Sequence, residues 1–413
     1  LEDGEKMSKL LDQQADVAIV GAGLAGMTLA LVLAQAGMRV ALIERQTPKS
    51  LMAPEVDGRT TAIAAAARRV LEGLGIWSGI EAEAGPIWDI RVSDRQSPLH
   101  VHFDHAAVGD TAMGHIVENH DLRRVLVAAL AAQSGIDAFW GQSVSAFEPS
   151  DTAATLTMSG GQSVTASLVA AADGRGSALR RMAGIGVRSV DYGETAIVCT
   201  AYHRHPHDGI AHERFYAGGP FAILPMADNA QSRHRASIVW TERRALAEHL
   251  AGLPKGAFQR QLARRFGEFL GEIEVPGEVW TYPLSLTLAK RLTGKRLALV
   301  GEAAHGMHPI AGQGFNVSMR DITGLRDSVA AAVQAGQDPG GPAVLSAYAR
   351  RRWPDILAMA AATDGLNRLF RTDLPPVALA RQIGLAAVNR LPPLKRQFQR
   401  YAMGLLPQGR PGG

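Results

Sequence analysis

DVAIVGAGLAGMTLALVLAQAGMRVALIE, residues Asp16 to Glu44, decides how this chain folds. Asp16 to Val20 is a short apolar strand. Gly21-Ala22-Gly23-Leu24-Ala25-Gly26 follows, then a helical run to about Gln35 that Gly37 stops, then a second strand from Arg39 to Ile43 that ends on Glu44. A GxGxxG alone is weak evidence, but strand, glycine turn, helix, strand and acid in this order form a complete dinucleotide-binding unit. Gly21 permits the tight turn, Gly23 lets the backbone approach a pyrophosphate, and Gly26 lets helix and strand pack closely. Glu44 stands where a carboxylate accepts hydrogen bonds from ribose hydroxyls. Leu24 and Ala25 at the head of the helix, and Arg45 beside Glu44, complete the contacts expected at this end. Val17 to Met38 has no charged residue and tempts a hydropathy window toward a membrane span, but its spaced glycines divide it into strand, turn and helix.

The 413 residues exceed what one ordinary core holds, so two domains are expected, interleaved in sequence. At 46% hydrophobic and 20% charged, the composition is that of a folded globular protein. A single cysteine, Cys199, excludes an internal disulfide and a cysteine-built metal cluster, and fits a reducing, cytoplasmic setting. Net charge is +4, unevenly spread: Gly341 to Gly413 holds 11 Lys+Arg against 3 Asp+Glu. A basic tail suits an anionic membrane surface, and no nucleic-acid motif accompanies it.

Further along, Asp57-Gly58-Arg59-Thr60-Thr61-Ala62 leads into an alanine-rich helix with Arg59 at its entrance. Ile87 to Val92 and His100 to Phe103 read as a hairpin, and Asn119 as the N-cap of an amphipathic helix from His120 to Ala132. A strand from Ser163 to Ala172 runs into Asp173-Gly174-Arg175-Gly176-Ser177, a second strand-to-helix corner, where an acid caps the helix or bonds a ribose or an amide. Between Val187 and Tyr282 the texture is alternating β, without a glycine fingerprint, interrupted by one helix from Phe258 to Leu270; this predicts a mostly antiparallel second domain. Its histidines 203, 205, 207 and 212 do not match the spacing of a metal site, and no metal is expected. Then comes GEAAHGMHPIAGQGFN, Gly301 to Asn316, a strand–loop–helix start in which glycines admit close backbone approach and the helix N-terminus favours negative charge. Helices follow at Asp321 to Ala335, Ala343 to Ala362 and Leu366 to Phe370. Near the end, Leu394, Phe398, Tyr401 and Leu405 form an apolar stripe opposite Lys395, Arg396 and Arg400.

GAGLAG with Glu44, DGRGSALR and GEAAHGMHPIAGQGFN, in this order, resemble the single-component FAD-dependent aromatic hydroxylases of the para-hydroxybenzoate hydroxylase fold. HPIAGQGFN followed by Met319-Arg320-Asp321, PFAILPM (Pro220 to Met226), HIVENHDLRRVL (His115 to Leu126) and YPLSLTLAKRL (Tyr282 to Leu292) resemble its ubiquinone-biosynthesis branch. The resemblance spans Ala15 to Leu405. It implies an α/β (α+β) architecture: a Rossmann-like FAD-binding domain (12–86, 105–186 and 287–375) interleaved with a mostly antiparallel substrate domain (87–104 and 187–286), then a C-terminal helical segment (376–408).

The same resemblance implies FAD as resident cofactor, with Gly21, Gly23 and Gly26 serving its pyrophosphate and Glu44 its adenosine ribose. Arg59 matches the family arginine that reaches FAD, and Asp173 and Gly174 a motif associated with both FAD and the transient nicotinamide. Glu118 matches a position near the flavin. Gln313, Gly314, Phe315 and Asn316 match the loop and helix start beside the isoalloxazine ring, Glu302 stands where a family carboxylate contacts the ribityl chain, and Gly301, Pro309 and Gly312 complete the cofactor-binding residues of this loop. The family commonly has Asp where this chain has Glu302; glutamate keeps the charge and adds one methylene. The implied reaction is hydroxylation of the ring of a polyprenylated phenol, using NAD(P)H and oxygen through a flavin hydroperoxide. Phe221, Leu224 and Met226 are candidate lining for that substrate, His305 and His308 are equally readable as structural groups or proton carriers, and no general base is assigned. Other quinone-biosynthesis proteins and peripheral contact with the inner membrane complete the implied partners. An isoprenoid reductase and a redox-silent FAD- or prenyl-binding subunit are the alternatives; the six tryptophans contain no WxWxIP pair of the kind flavin halogenases carry.

Overall fold

The computed structural model describes residues 12–53, 57–95, 100–228, 233–308, 310–371, 381, 384, 388 and 390–405. Its first large sheet grows from the opening unit. Strand Asp12–Val20 pairs in parallel with Val40–Glu44 on one side and Ser163–Ala171 on the other; Ile136–Trp140 and Leu297–Leu299 extend it, again in parallel. Parallel pairing with helical cover buries both faces, which is why these strands are nearly uninterrupted Val, Ile, Leu and Ala. Helix Leu24–Gln35 lies on this sheet with Met27, Leu29 and Leu33 fully buried. The apolar stretch that mimicked a membrane span is therefore core, and among the described residues no helix is long and apolar enough to cross a membrane.

The second large sheet is mostly antiparallel. Its long strand Val187–His203 pairs with Trp280–Ala289 on one side and Arg235–Arg243 on the other, followed by Gly219–Pro225 and Ile210–Tyr216. Strands Asp89–Asp94 and His100–Asp104, antiparallel to each other, join its edge. Helices Arg244–Ala251 and Lys255–Phe266 cover one face, packing Phe258, Leu262 and Phe266 on Phe221, Ile223, Ile238 and Trp240. A small third sheet, Thr60–Ala64, Gly114–Glu118 and Gly85–Ile87, lies beside both.

Several local expectations change. Residues 60–64 are a strand, and the alanine-rich helix begins only at Ala65. Asn119 is not a cap: the helix Asn119–Ala132 starts on it, and its side chain instead receives the Thr61 hydroxyl (2.5 Å) and donates to Asp57 (2.9 Å). The helix expected to break near Gly365 runs unbroken from Pro342 to Arg371 with Pro354 inside it. Buried contacts override the local breakers there: Thr363 donates back to Met359 O, and Asn367 to Glu194 of the second sheet. The Pro375-Pro376 helix start lies outside the described residues.

Candidate active site

Around the Gly21–Gly26 turn, the glycines are dictated by contact. Gly21 has φ +101°, and a Cβ there would stand 2.5 Å from Ala172 O; a Cβ on Gly26 would stand 1.8 Å from Gly21 O. Gly23 meets nothing within 4 Å. The helix it starts has no side-chain cap and no acid in its first turn, so no side chain of its own satisfies the first amides, which include those of Leu24 and Ala25. Glu44 is buried at the end of its strand and accepts the Ala22 N–H (2.6 Å) and the Gln46 N–H (2.9 Å). Its carboxylate thus already braces the glycine turn, with acceptor capacity remaining for a ribose. Arg45 is exposed.

Sequence reading missed the hub of the next group, Asp57. Its carboxylate receives Arg59 twice (2.7 and 2.9 Å), Asn119 (2.9 Å), the Tyr282 hydroxyl (3.4 Å) and Arg123. Burial alone would raise its pKa; the hydrogen bonds and charge of Arg59, helped by Asn119, hold it down to about 2. Arg59 is therefore tied down, half-exposed, 5.0 Å above the Tyr282 ring. Glu118 pairs with Arg235 of the second sheet at 2.9 Å, joining the small third sheet to it at the edge of the site.

Around Gly301–Asn316 the remaining motifs converge. Arg175 reaches Glu302 (3.3 Å) and Ser285 (3.2 Å), and Arg180 donates to Ala303 O (2.7 Å), so the Asp173–Arg180 corner clasps the loop. Asp173 accepts the Leu179 N–H (3.1 Å) through Oδ2, while its other oxygen is buried without a partner. Gly174 (φ +81°) and Gly314 face open space. Gly312 (φ +63°) leaves no room for a side chain, since a Cβ would lie 2.7 Å from Ala62 Cβ. Gln313 precedes the helix Gly314–Gln334; Phe315 is half-buried on its first turn, and Asn316 clips that turn to the Thr60–Ala64 strand, accepting Ala64 N–H and donating to Ala62 O, both at 2.9 Å. Pro309 lies outside the described residues.

Beneath the loop is a second hub, Asp321, which follows HPIAGQGFN closely in sequence but carries no local signal of its partners. The fully buried Asp321 receives Gly301 N–H (3.0 Å), His305 Nε2 (2.6 Å) and Arg352 Nε (2.8 Å). Burial pushes its pKa up, but His305 and Arg352 outweigh it and the carboxyl stays below its ordinary value. His305 is thereby a structural partner. His308 is also buried, with Nε2 3.4 Å from Glu194 and Tyr192 edge-on to its ring.

Across from the loop lies one face of the second sheet, and one lining expectation fails there. Phe221 is fully buried on the opposite face, among Trp240, Phe258 and Leu262, because residues along a strand alternate in direction. Leu224 and Met226 do face the loop side, clustering with Ala211, Ile116 and Ala62, while Phe215 packs with Ile310 of the loop and Phe370.

The open ground before Gly23, Gly174 and Gly314, and the unpartnered buried oxygen of Asp173, fit a long cofactor lying from Glu44 to the Gly314 helix. Family match and full-length relatives give the class, a flavin-dependent monooxygenase. Residues 14–363 match the family described as FAD binding domain. A ubiquinone hydroxylase of Rhodospirillum rubrum is 47% identical over 96% of this chain and 91% of its own length. The 3-demethoxyubiquinol 3-hydroxylase of Escherichia coli is 34% identical over 96% of this chain and 100% of its own. The crystal structure of p-nitrophenol 4-monooxygenase from Pseudomonas putida superposes with TM-score 0.77 at 18% identity, covering 97% and 100% of the two chains. The chain belongs to the ubiquinone-biosynthesis hydroxylase family of FAD-dependent monooxygenases.

Proposed function

We propose that this chain hydroxylates the aromatic ring of a polyprenylated phenol in ubiquinone biosynthesis, with NAD(P)H as transient reductant and molecular oxygen as the oxygen source. Full-length kinship to a ubiquinone hydroxylase carries this reading. Bound FAD supplies the redox chemistry, taking electrons from the nicotinamide and activating oxygen. In this reading Gly21, Gly23, Leu24, Ala25 and Gly26 hold the pyrophosphate, and Glu44 the adenosine ribose with Arg45 beside it. Arg59, Asp173 and Gly174 also contact the cofactor, Glu302 its ribityl chain, and Glu118 and Gln313 to Asn316 lie near its flavin ring, with Gly301, Pro309 and Gly312 as further cofactor-binding residues of the loop. The helix N-terminus at Gly314 to Asn316 favours negative charge on that ring by about 0.3–2 kcal/mol. The apolar face bearing Leu224 and Met226 keeps water from the substrate ring.

The discontinuous division at 12–86, 105–186 and 287–375 against 87–104 and 187–286 is part of the same reading, with the two large sheets as its cores. We also propose peripheral membrane contact through the C-terminal helix Pro392–Ala402, supported by exposed Leu391 and Phe398 beside exposed Arg396 and Arg400.

The purified protein is expected to carry a flavin spectrum, to bleach with NAD(P)H under anaerobic conditions, and to take up oxygen with formation of hydroxylated product when a prenylphenol is added. Deleting the gene in a ubiquinone-making host is expected to lower the quinone and accumulate a precursor. Unchanged quinone, with no precursor, refutes the assignment.

A further inference from the structure

Glu213 has no structural explanation. It lies on strand Ile210–Tyr216 between Ala211 and Phe215, and alternation places it on their face of the sheet, the face toward the Gly301–Asn316 loop. Ala211 packs with Met226 and Ala62, and Phe215 with Ile310, so the carboxyl stands between two apolar clusters that both include residues from the cofactor side. The residues level with it on the adjoining strands are Ala222 and Val92. Its strand neighbours His212 and Arg214 point the other way, where with Arg91 and Phe269 they line a cavity of about 610 Å³. Asp94, farther along the loop-facing side, is already matched by Arg381 at 2.7 Å.

Glu213 itself is only 8% exposed and makes no hydrogen bond or ion pair with the described residues, yet neither carboxyl oxygen is fully enclosed, so the group borders space that a small polar partner can reach. Burial alone pushes its pKa up to about 8. At neutral pH it is therefore mainly a carboxylic acid, able both to donate and to accept a hydrogen bond. A buried polar group without a partner is costly and rare, and at a site it marks a place kept for a ligand.

We propose that Glu213 anchors the ring hydroxyl of the substrate, making it the specificity-determining polar group on an otherwise apolar face. This rests on the reading above that the face opposite the loop receives a prenylated phenol. The hydroxyl and the neutral carboxyl pair as donor and acceptor, so a ring lacking the oxygen leaves the carboxyl unsatisfied. A site built this way rejects the deoxy ligand strongly.

The test titrates FAD-loaded protein with 2-geranylphenol and with geranylbenzene, following perturbation of the flavin spectrum, in wild type, Glu213→Gln and Glu213→Leu. Wild type is expected to prefer the phenol by at least about 10-fold more than Glu213→Leu does. Glu213→Gln, whose amide still donates and accepts, keeps most of that preference. Glu213→Leu, relieved of an unpaired buried acid, melts at a higher temperature than wild type. Equal discrimination by wild type and Glu213→Leu overturns the inference while leaving the proposed function standing. A wild-type protein that binds FAD but neither binds nor hydroxylates the phenol overturns both.

Discussion

Asp321→Ala removes the carboxylate on which the ring-end loop rests. Three hydrogen bonds go at once: to Gly301 N–H at 3.0 Å, His305 at 2.6 Å and Arg352 at 2.8 Å. The partners cannot turn to water, since the His305 and Arg352 side chains are only 2% and 5% exposed. Arg352 keeps Asp355 at 2.7 Å, so its charge is not wholly stranded. Breaking one partner out of a buried ion pair costs about 3–5 kcal/mol, and the surviving Asp355 contact puts the expectation near the lower end, about 3 kcal/mol. Asp321→Asn keeps the shape and one acceptor oxygen and is expected to lose less. Urea unfolding followed by tryptophan fluorescence measures the stability, and FAD titration at a concentration of urea well below the transition measures the site. FAD affinity is expected to fall in both variants because the freed Gly301 amide loosens the loop. An Asp321→Ala protein within about 1 kcal/mol of wild type refutes the hub; one that is destabilised but binds FAD normally confines Asp321 to the core.

Asp57 makes a pH prediction. Its folded pKa of about 2 lies below the ordinary 3.8, so its contribution is fully present above pH 3.8 and is lost as pH falls toward 2. The difference is worth about 2 kcal/mol, and Asp57→Asn is expected to flatten the acid limb of stability by that amount between pH 4 and 2; an unchanged limb contradicts the assignment. Glu302→Asp shortens an exposed side chain whose only described ion pair, to Arg175 at 3.3 Å, is worth under about 1 kcal/mol. The variant is expected to bind FAD at least as tightly as wild type by fluorescence titration, and a marked loss means the loop is built around glutamate.

The opening βαβ unit was legible because everything that determines it is local: period, turn chemistry and one acid lie within Asp16–Glu44. The two hubs were not. Asp57 draws its ligands from Arg123 and Tyr282, and Asp321 from Gly301 and Arg352, and no periodicity connects residues so far apart. Phe221 failed for another reason: Pro220 to Met226 is apolar throughout, so the run does not disclose which alternate residues face helices Arg244–Ala251 and Lys255–Phe266 and which face the loop. The 60–64 strand was hidden by Ala-rich sequence with helical propensity, which pairing with Gly114–Glu118 overrides.

The Asn316 clip joins residues 254 positions apart in the chain. A ribosome adding about 5–20 residues per second needs tens of seconds to travel from one to the other. The parallel sheet around Asp12–Val20 can form well before that, from strands complete by Ala171 with Leu297–Leu299 added later. The nascent protein can thus hold its βαβ sheet formed while the Gly314–Gln334 helix is still unmade. Capture of the whole cofactor is therefore expected late in synthesis, after Asn316 has emerged. Fragments ending short of Asn316 are expected to bind FAD poorly, which a titration of truncated chains would check.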